Sequence, residues 1–156
     1  MQGVYDPSID GPLQEIVVPS ELAAAKRPEQ YILEEVQRCG YTDEAVFGIK
    51  LSLEEAMTNA VRHGNRSDKN KRVTVRYAVT PRRTVIMIAD EGPGFLFDAL
   101  PDPTRPENLE RPNGRGVMLM RAYMTRVEFN GRGNEVLMIK ENERWQPQTG
   151  SNPTDR

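Results

Sequence analysis

Between Val46 and Gly64 the small or apolar residues Val46, Ile49, Leu53, Ala56, Met57, Ala60, Val61 and Gly64 recur at intervals of three and four. At 100° per residue they share one arc of a helix, and a stripe this wide has to be buried against another layer. The opposite arc carries Ser52 and, within the run LEEAMTNAVRHGN from Leu53 to Asn65, Glu55, Asn59, Arg62 and His63. A solvent-facing arc ordinarily carries long, solvated Lys and Glu side chains. Short polar groups, a carboxylate and a carboxamide four residues apart, suit a face on which something else rests. The chain must therefore fold into layers, with this helix between a core and a covered polar surface.

The flanking sequence supplies the other layer. LQEIVVPS predicts a strand over Leu13 to Val18, and PSELAAAKRPEQYILEEVQRCG a helix with Ser20 as N-cap and Gly40 at its close. Pro28 inside that pattern demands a kink or a late start. The central helix begins at a Thr42 or Asp43 cap and ends near Gly64. After the polar turn NRSDKN, the segments RVTVRYAV and TVIMIAD read as a hairpin around Thr80 to Arg83. Residues 91–116, EGPGFLFDALPDPTRPENLERPNGRG, contain five prolines and read as a long functional or mobile loop. VMLMRAYM is a short helix, and RVEFN with EVLMIKE forms a closing hairpin around Gly131 to Asn134. The order β-α-α-β-β-loop-α-β-β predicts an α+β two-layer sandwich, a mostly antiparallel mixed sheet with helices on one face. With 156 residues, the expectation is one domain over 13–141, a loose tail at 1–12 and a polar tail at 142–156.

Several functions are disfavoured. A net charge of −2 argues against electrostatic nucleic-acid binding. The single Cys39 excludes an intramolecular disulfide and a multi-cysteine metal site. There is no basic stretch leading into an apolar run at the start, and no apolar run of about 18 residues, so the expectation is a cytoplasmic protein with no membrane span. G-x-x-x-x-G-K-[ST] is absent, as are H-R-D and D-F-G. No nucleophile elbow accompanies the lone His63, and Trp145 suggests only surface packing.

Three short patterns remain, each common by itself. Glu55 and Asn59, at i and i+4, face the same way and offer oxygens to a hard cation and to a nucleophile's proton. In IADEGPGF, Ile88 to Phe95, an apolar strand ends in Asp90, followed by Gly92 and Gly94. An aspartate there can accept from an exocyclic amine, and glycines let backbone approach a flat ring. In RPNGRGVMLM, Arg111 to Met120, Gly114 and Gly116 precede a helix whose first N–H groups form an anion site, with Arg111 and Arg115 adding charge.

In this order, with a long loop between the last two, the patterns resemble the Bergerat-fold ATP-binding superfamily of Hsp90-like, gyrase-like and histidine-kinase ATPases, called GHKL. The segment EEAMTNAVRHGN is most similar to its stand-alone bacterial branch, the anti-sigma-factor serine/threonine kinases. The resemblance covers roughly Leu13 to Glu141. It implies ATP and Mg²⁺ as cofactors, with Asn59 as the metal ligand and Glu55 as general base on the incoming hydroxyl. Asp90 would accept from the adenine amino group, and Gly92, Gly94 and Phe95 would shape the purine pocket. Arg62 and His63 would belong to the floor of the site. Residues Pro101 to Arg115 would form a lid, and Gly114, Gly116 and the helix start at Val117 would bind phosphate. It also implies a small anti-anti-sigma-type antagonist as phosphoacceptor, a sigma factor as second partner, and a homodimer. Two departures stand out. Pro112 and Asn113 precede Gly114 where the branch often carries an arginine, leaving Arg111 or Arg115 to reach the terminal phosphate. Asn134 occupies the place of a threonine near adenine. The alternatives are a nucleotide-gated binding module without phosphotransfer, and a detached histidine-kinase-type ATPase domain.

Overall fold

A computed structural model describes residues 4–94 and 114–147. Five strands form one antiparallel sheet: β1 (Gln14–Pro19), β2 (Arg72–Val79), β3 (Arg83–Asp90), β4 (Arg126–Phe129) and β5 (Glu135–Glu141), in the order β1-β2-β3-β5-β4. The strand pairs are antiparallel throughout, so the sheet is not mixed. Three longer helices accompany it: α2 (Lys26–Arg38), α3 (Asp43–Thr58) and α4 (Gly114–Tyr123). Alternation along the strands sends Val73, Val75, Tyr77, Ile86, Ile88, Val136 and Met138 to one face. There they join Ile32 and Val36 of α2, Ile49, Leu53, Ala56 and Met57 of α3, and Val117 and Met120 of α4 in one core. The result is the α+β sandwich expected from the order of elements.

The first helix starts late. Leu22–Ala25 form a 3₁₀ turn and α2 proper begins at Lys26, which puts the buried Pro28 in the first helical turn, where its missing N–H costs nothing. Ser20 does not cap it. Its hydroxyl is buried and accepts from Asn65 Nδ2 at 3.2 Å. Thr42 does cap α3, accepting from Ala45 N at 3.1 Å.

The stretch expected to be a loose tail at 1–12 is anchored from Val4 onward. Asp6 caps a single helical turn, α1 (Pro7–Asp10). Asp10, 3% exposed, then takes both Arg83 Nε and Arg83 Nη2 at 2.7 Å, while Val4 O accepts from the same Nη2 at 3.2 Å. Residues near the other end also dock: Asn142 Nδ2 donates to Pro81 O at 2.8 Å, and the Arg82 guanidinium lies 4.7 Å from the Trp145 ring centre.

Candidate functional site

The central helix does not run as one α-helix to Gly64. After Thr58 it widens into a π-helical turn, Asn59–Gly64, in which Asn65 N donates to Ala60 O at 2.8 Å. π-turns concentrate at functional sites because they re-aim the residues that follow. Here the turn leaves Glu55 and Asn59 on the α3 register and swings Gly64 and Asn65 toward the ends of β2 and β3.

Two clusters result. In the first, α4 lies along α3. A Cβ on Gly48 would stand 3.1 Å from Tyr123, and one on Gly116 would stand 3.0 Å from Glu55 Oε2 and 3.2 Å from Asn59 Nδ2. Gly116 thus brings the first turn of α4 onto the carboxylate and the carboxamide, both of which stay half-buried. Of the polar arc, Glu55 and Asn59 lie half-covered under α4, whereas Arg62 stays exposed. Ser52, on the same arc, is not part of any open floor: it is fully buried, and its hydroxyl has no hydrogen-bond partner.

The second cluster gathers around Asp90. Its Oδ1 accepts from Gly92 N at 2.8 Å. A Cβ on Gly64 would collide with the Asp90 carboxylate, and one on Gly92 with the Gly64 carbonyl, so the two glycines let the backbone close up around the aspartate side chain. Gly94, at φ +80°, packs where a side chain would strike the Arg132 carbonyl. Asp90 N donates to Asn134 O at 2.9 Å, which brings the β4–β5 turn to the same place. Burial pushes the Asp90 carboxyl above its ordinary value of 3.8, opposed in part by the Gly92 N–H and by Lys71. Burial, with a smaller contribution from Arg62, lowers the His63 imidazole below its usual value.

The residues singled out from sequence divide accordingly. Glu55, Asn59 and Gly116 come together, as do Asp90, Gly92 and Gly94. His63 adjoins Gly64 and is half-buried, whereas Arg62 and Arg115 are exposed. Val117 turns its side chain into the core, 3% exposed, so any part it plays in anion binding falls to its backbone. Gly114 is the first residue of α4. Phe95, Arg111 and all of the expected lid from Pro101 to Arg115 except Gly114 and Arg115 lie outside the described residues.

Asn65 was missed as a site residue. It is fully buried, donates to Ser20 Oγ at 3.2 Å and Arg72 O at 3.0 Å, and accepts from Glu91 N at 2.8 Å. One carboxamide thereby ties the entry to β2 and the exit from β3, and so fixes the peptide that follows Asp90. The only trace in the sequence is an asparagine directly after the glycine of RHGN, and nothing there indicates that its side chain turns inward.

A carboxylate–carboxamide pair beneath a glycine-started helix, beside a half-buried aspartate ringed by close-packed glycines, offers an anion site and an amine-accepting site in one surface. Comparisons with known proteins bear on the family. Residues 18–140 match the family model described as the histidine kinase-like ATPase domain. Serine-protein kinase RsbW of Bacillus subtilis is 34% identical over 110 residues, spanning 66% of this chain and 69% of that protein. Its namesake from Bacillus mycoides is 29% identical over 123 residues, 74% of this chain and 76% of the other. A crystal structure of the RsbU and RsbW domains of a Mycobacterium tuberculosis protein superposes with a TM-score of 0.55 at 15% identity, over 83% of this chain. This chain spans 31% of the length of that structure, and the likeness speaks to the fold.

Proposed function

The chain belongs to the histidine kinase-like ATPase family, and from that premise we propose that it is an ATP-dependent protein serine/threonine kinase. It transfers the γ-phosphate to a small antagonist protein of the anti-anti-sigma kind and, in another nucleotide state, holds a sigma factor or similar partner. The observation that supports this reading best is the seating of Gly116 over Glu55 and Asn59. It brings the first turn of α4, the positive end of that helix's dipole, beside the Glu55 carboxylate. Phosphoryl transfer asks mainly for positioning and charge neutralisation, which these groups supply. Glu55 orients the incoming serine or threonine hydroxyl and takes its proton. Asp90 accepts from the adenine amine. The donor set fits Mg²⁺, a hard cation that takes oxygen ligands: the Asn59 side-chain oxygen would hold the ion, which would supply neutralisation of phosphate charge.

Asn59→Ala is expected to weaken Mg²⁺-ATP binding tenfold or more, roughly the worth of one hydrogen bond or ligand to a charged group. Calorimetric titration with and without Mg²⁺ measures it, and unchanged affinity would remove Asn59 from the site.

Asp90→Asn separates stability from recognition. Because the folded-state pKa of Asp90 is raised, its favourable contribution belongs to low pH and is lost as pH rises through that value. Ionising the carboxyl costs more in the folded chain than in the unfolded one. Asparagine relieves it, so the melting temperature should rise. With Oδ1 still accepting from Gly92 N, the amide nitrogen takes the place of Oδ2 and meets the adenine amine donor to donor. Adenine-nucleotide affinity should fall about 10- to 100-fold. In the native protein, binding should weaken as pH falls through the raised pKa. A variant that is no more stable, or that binds ATP as well as the native chain, contradicts the assignment.

The decisive experiment is a time course with labelled ATP and candidate antagonist proteins. Label on a serine or threonine of one of them establishes the kinase. Tight Mg²⁺-ATP binding with no transfer to any partner indicates the nucleotide-gated binding module instead.

A further inference from the structure

The side of α3 turned toward α2 carries a second feature. A groove of about 220 Å³ runs between the 3₁₀ turn with the start of α2 and the last two turns of α3. Leu22, Ala25, Pro28, Leu53, Met57 and Val75 make it apolar. Two carboxylates, Glu29 of α2 and Glu54 of α3, stand in that lining. Glu29 is 7% exposed, an uncommon degree of burial for a glutamate. The cation between them is a poor match. Lys26 Nζ is 3.8 Å from Glu29 Oε2 and 3.8 Å from Glu54 Oε1, and its side chain is 73% exposed. Contacts this long to a solvated ammonium contribute little. Burial, and then the neighbouring Glu54 carboxyl, hold the Glu29 carboxyl above the usual carboxylate range. The groove therefore holds two carboxyls close together in partly desolvated surroundings, opposed by Lys26 and, more weakly, by Lys50, with an exposed Leu22 at its mouth, 37% accessible.

Its size and chemistry narrow the occupant. The volume falls below the roughly 300–1,000 Å³ of small-molecule sites and suits side chains. A divalent cation would sit against the Lys26 ammonium. A planar guanidinium, with donors on two edges, can bridge two carboxylates as an ammonium cannot. We propose that this groove docks a segment of a partner protein that inserts an arginine between Glu29 and Glu54 and lays a neighbouring aliphatic side chain on Leu22 and Met57. The proposal rests on the partner-binding reading above and adds the recognition chemistry. The placement gives docking a consequence: Glu54 and Thr58 line the groove, while Glu55 and Asn59, one position further on, meet α4. The same two turns of α3 form the wall of one site and the floor of the other, so a docked segment presses on the residues that hold the nucleotide.

The test uses the full ¹⁵N-labelled chain and a short capped helical peptide carrying leucine and arginine one turn apart, against the same peptide with glutamate for arginine. The arginine peptide should shift amides over Leu22–Glu29 and Leu53–Thr58, and the glutamate peptide should not. Glu54→Gln, at a half-exposed position that leaves folding intact, should weaken the arginine peptide about tenfold. Glu29→Gln should weaken it as well while raising the melting temperature, since a buried carboxylate is removed. Equal response to both peptides, shifts confined to other surfaces, or indifference to Glu54→Gln would overturn the proposal. Mg²⁺-ATP added separately reports on Glu55, Asn59 and Asp90. If those amides stay silent while the groove responds, the nucleotide reading fails and the groove stands; the reverse result refutes the groove alone.

Discussion

Glu55→Gln is expected to slow phosphoryl transfer by about two to four orders of magnitude, the usual contribution of a positioned general base, and to leave Mg²⁺-ATP affinity unchanged. Glutamine keeps the length and the hydrogen-bonding reach of the side chain, so the contact that Gly116 makes with Oε2 survives in shape. What it removes is the ability to take a proton from the incoming hydroxyl. An effect on transfer without an effect on binding is the signature of an interaction realised in the transition state alone. Single-turnover transfer from labelled ATP to an antagonist protein, alongside calorimetric ATP titration, separates the two quantities. Transfer at the native rate would mean that the hydroxyl is activated elsewhere. Loss of ATP binding in parallel with transfer would mean that Glu55 supports the floor rather than the chemistry.

Asp10→Ala should cost about 3–5 kcal/mol of folding free energy, the cost of stranding one member of a buried ion pair. The Asp10 side chain is fully buried and that of Arg83 is 10% exposed, with Nη2 of Arg83 2.7 Å from Oδ2 of Asp10. Without the aspartate, the guanidinium keeps Val4 O as an acceptor at 3.2 Å and only the weaker influence of the Glu141 and Asp6 carboxylates on its charge. Domains of this size are held by only about 5–15 kcal/mol in total, so the variant should unfold at a much lower denaturant concentration. Replacing Arg83 with leucine in the same variant should recover most of the loss, because a buried pair is costly to break and far less costly to replace whole. A change below about 1 kcal/mol in Asp10→Ala would class the contact with ordinary surface pairs. The effect reaches the site through β3, which begins at Arg83 and ends at Asp90.

The sequence was most legible where a local rule acts alone. The apolar stripe of α3 and the alternation in β2 and β3 follow from the periods of helix and strand, and each found its place in the core. Thr42 capped its helix because a cap needs only its own first turn. Legibility failed where a residue had two uses and distant chain chose between them. Ser20 sits where an N-cap is expected, yet a bond to Asn65, forty-five residues on, draws its hydroxyl inward. Asp10 reads as part of a loose tail until Arg83, seventy-three residues away, makes it the buried half of a pair. A constant turn of 100° per residue placed Ser52 with Glu55 and Asn59, but α4 lies over that turn of helix and buries it.

The sequence by itself determined the inventory: which segments are helix or strand, that they layer into an α+β sandwich, and that Glu55, Asn59, Asp90 and the paired glycines are the candidates for its chemistry. Those properties reside in periodicity and in residue type at short spacing. Only the tertiary structure decided how the pieces meet. It set Gly116 on the Glu55–Asn59 pair, closed Gly64 and Gly92 around Asp90, turned Asn65 into the clamp behind them, and placed Glu29 beside Glu54 across two helices. Each of these contacts joins residues that no local pattern connects. They form because the core and the sheet register bring distant backbone within a few ångströms, where a single Cβ or a single carboxamide decides whether the chain can close.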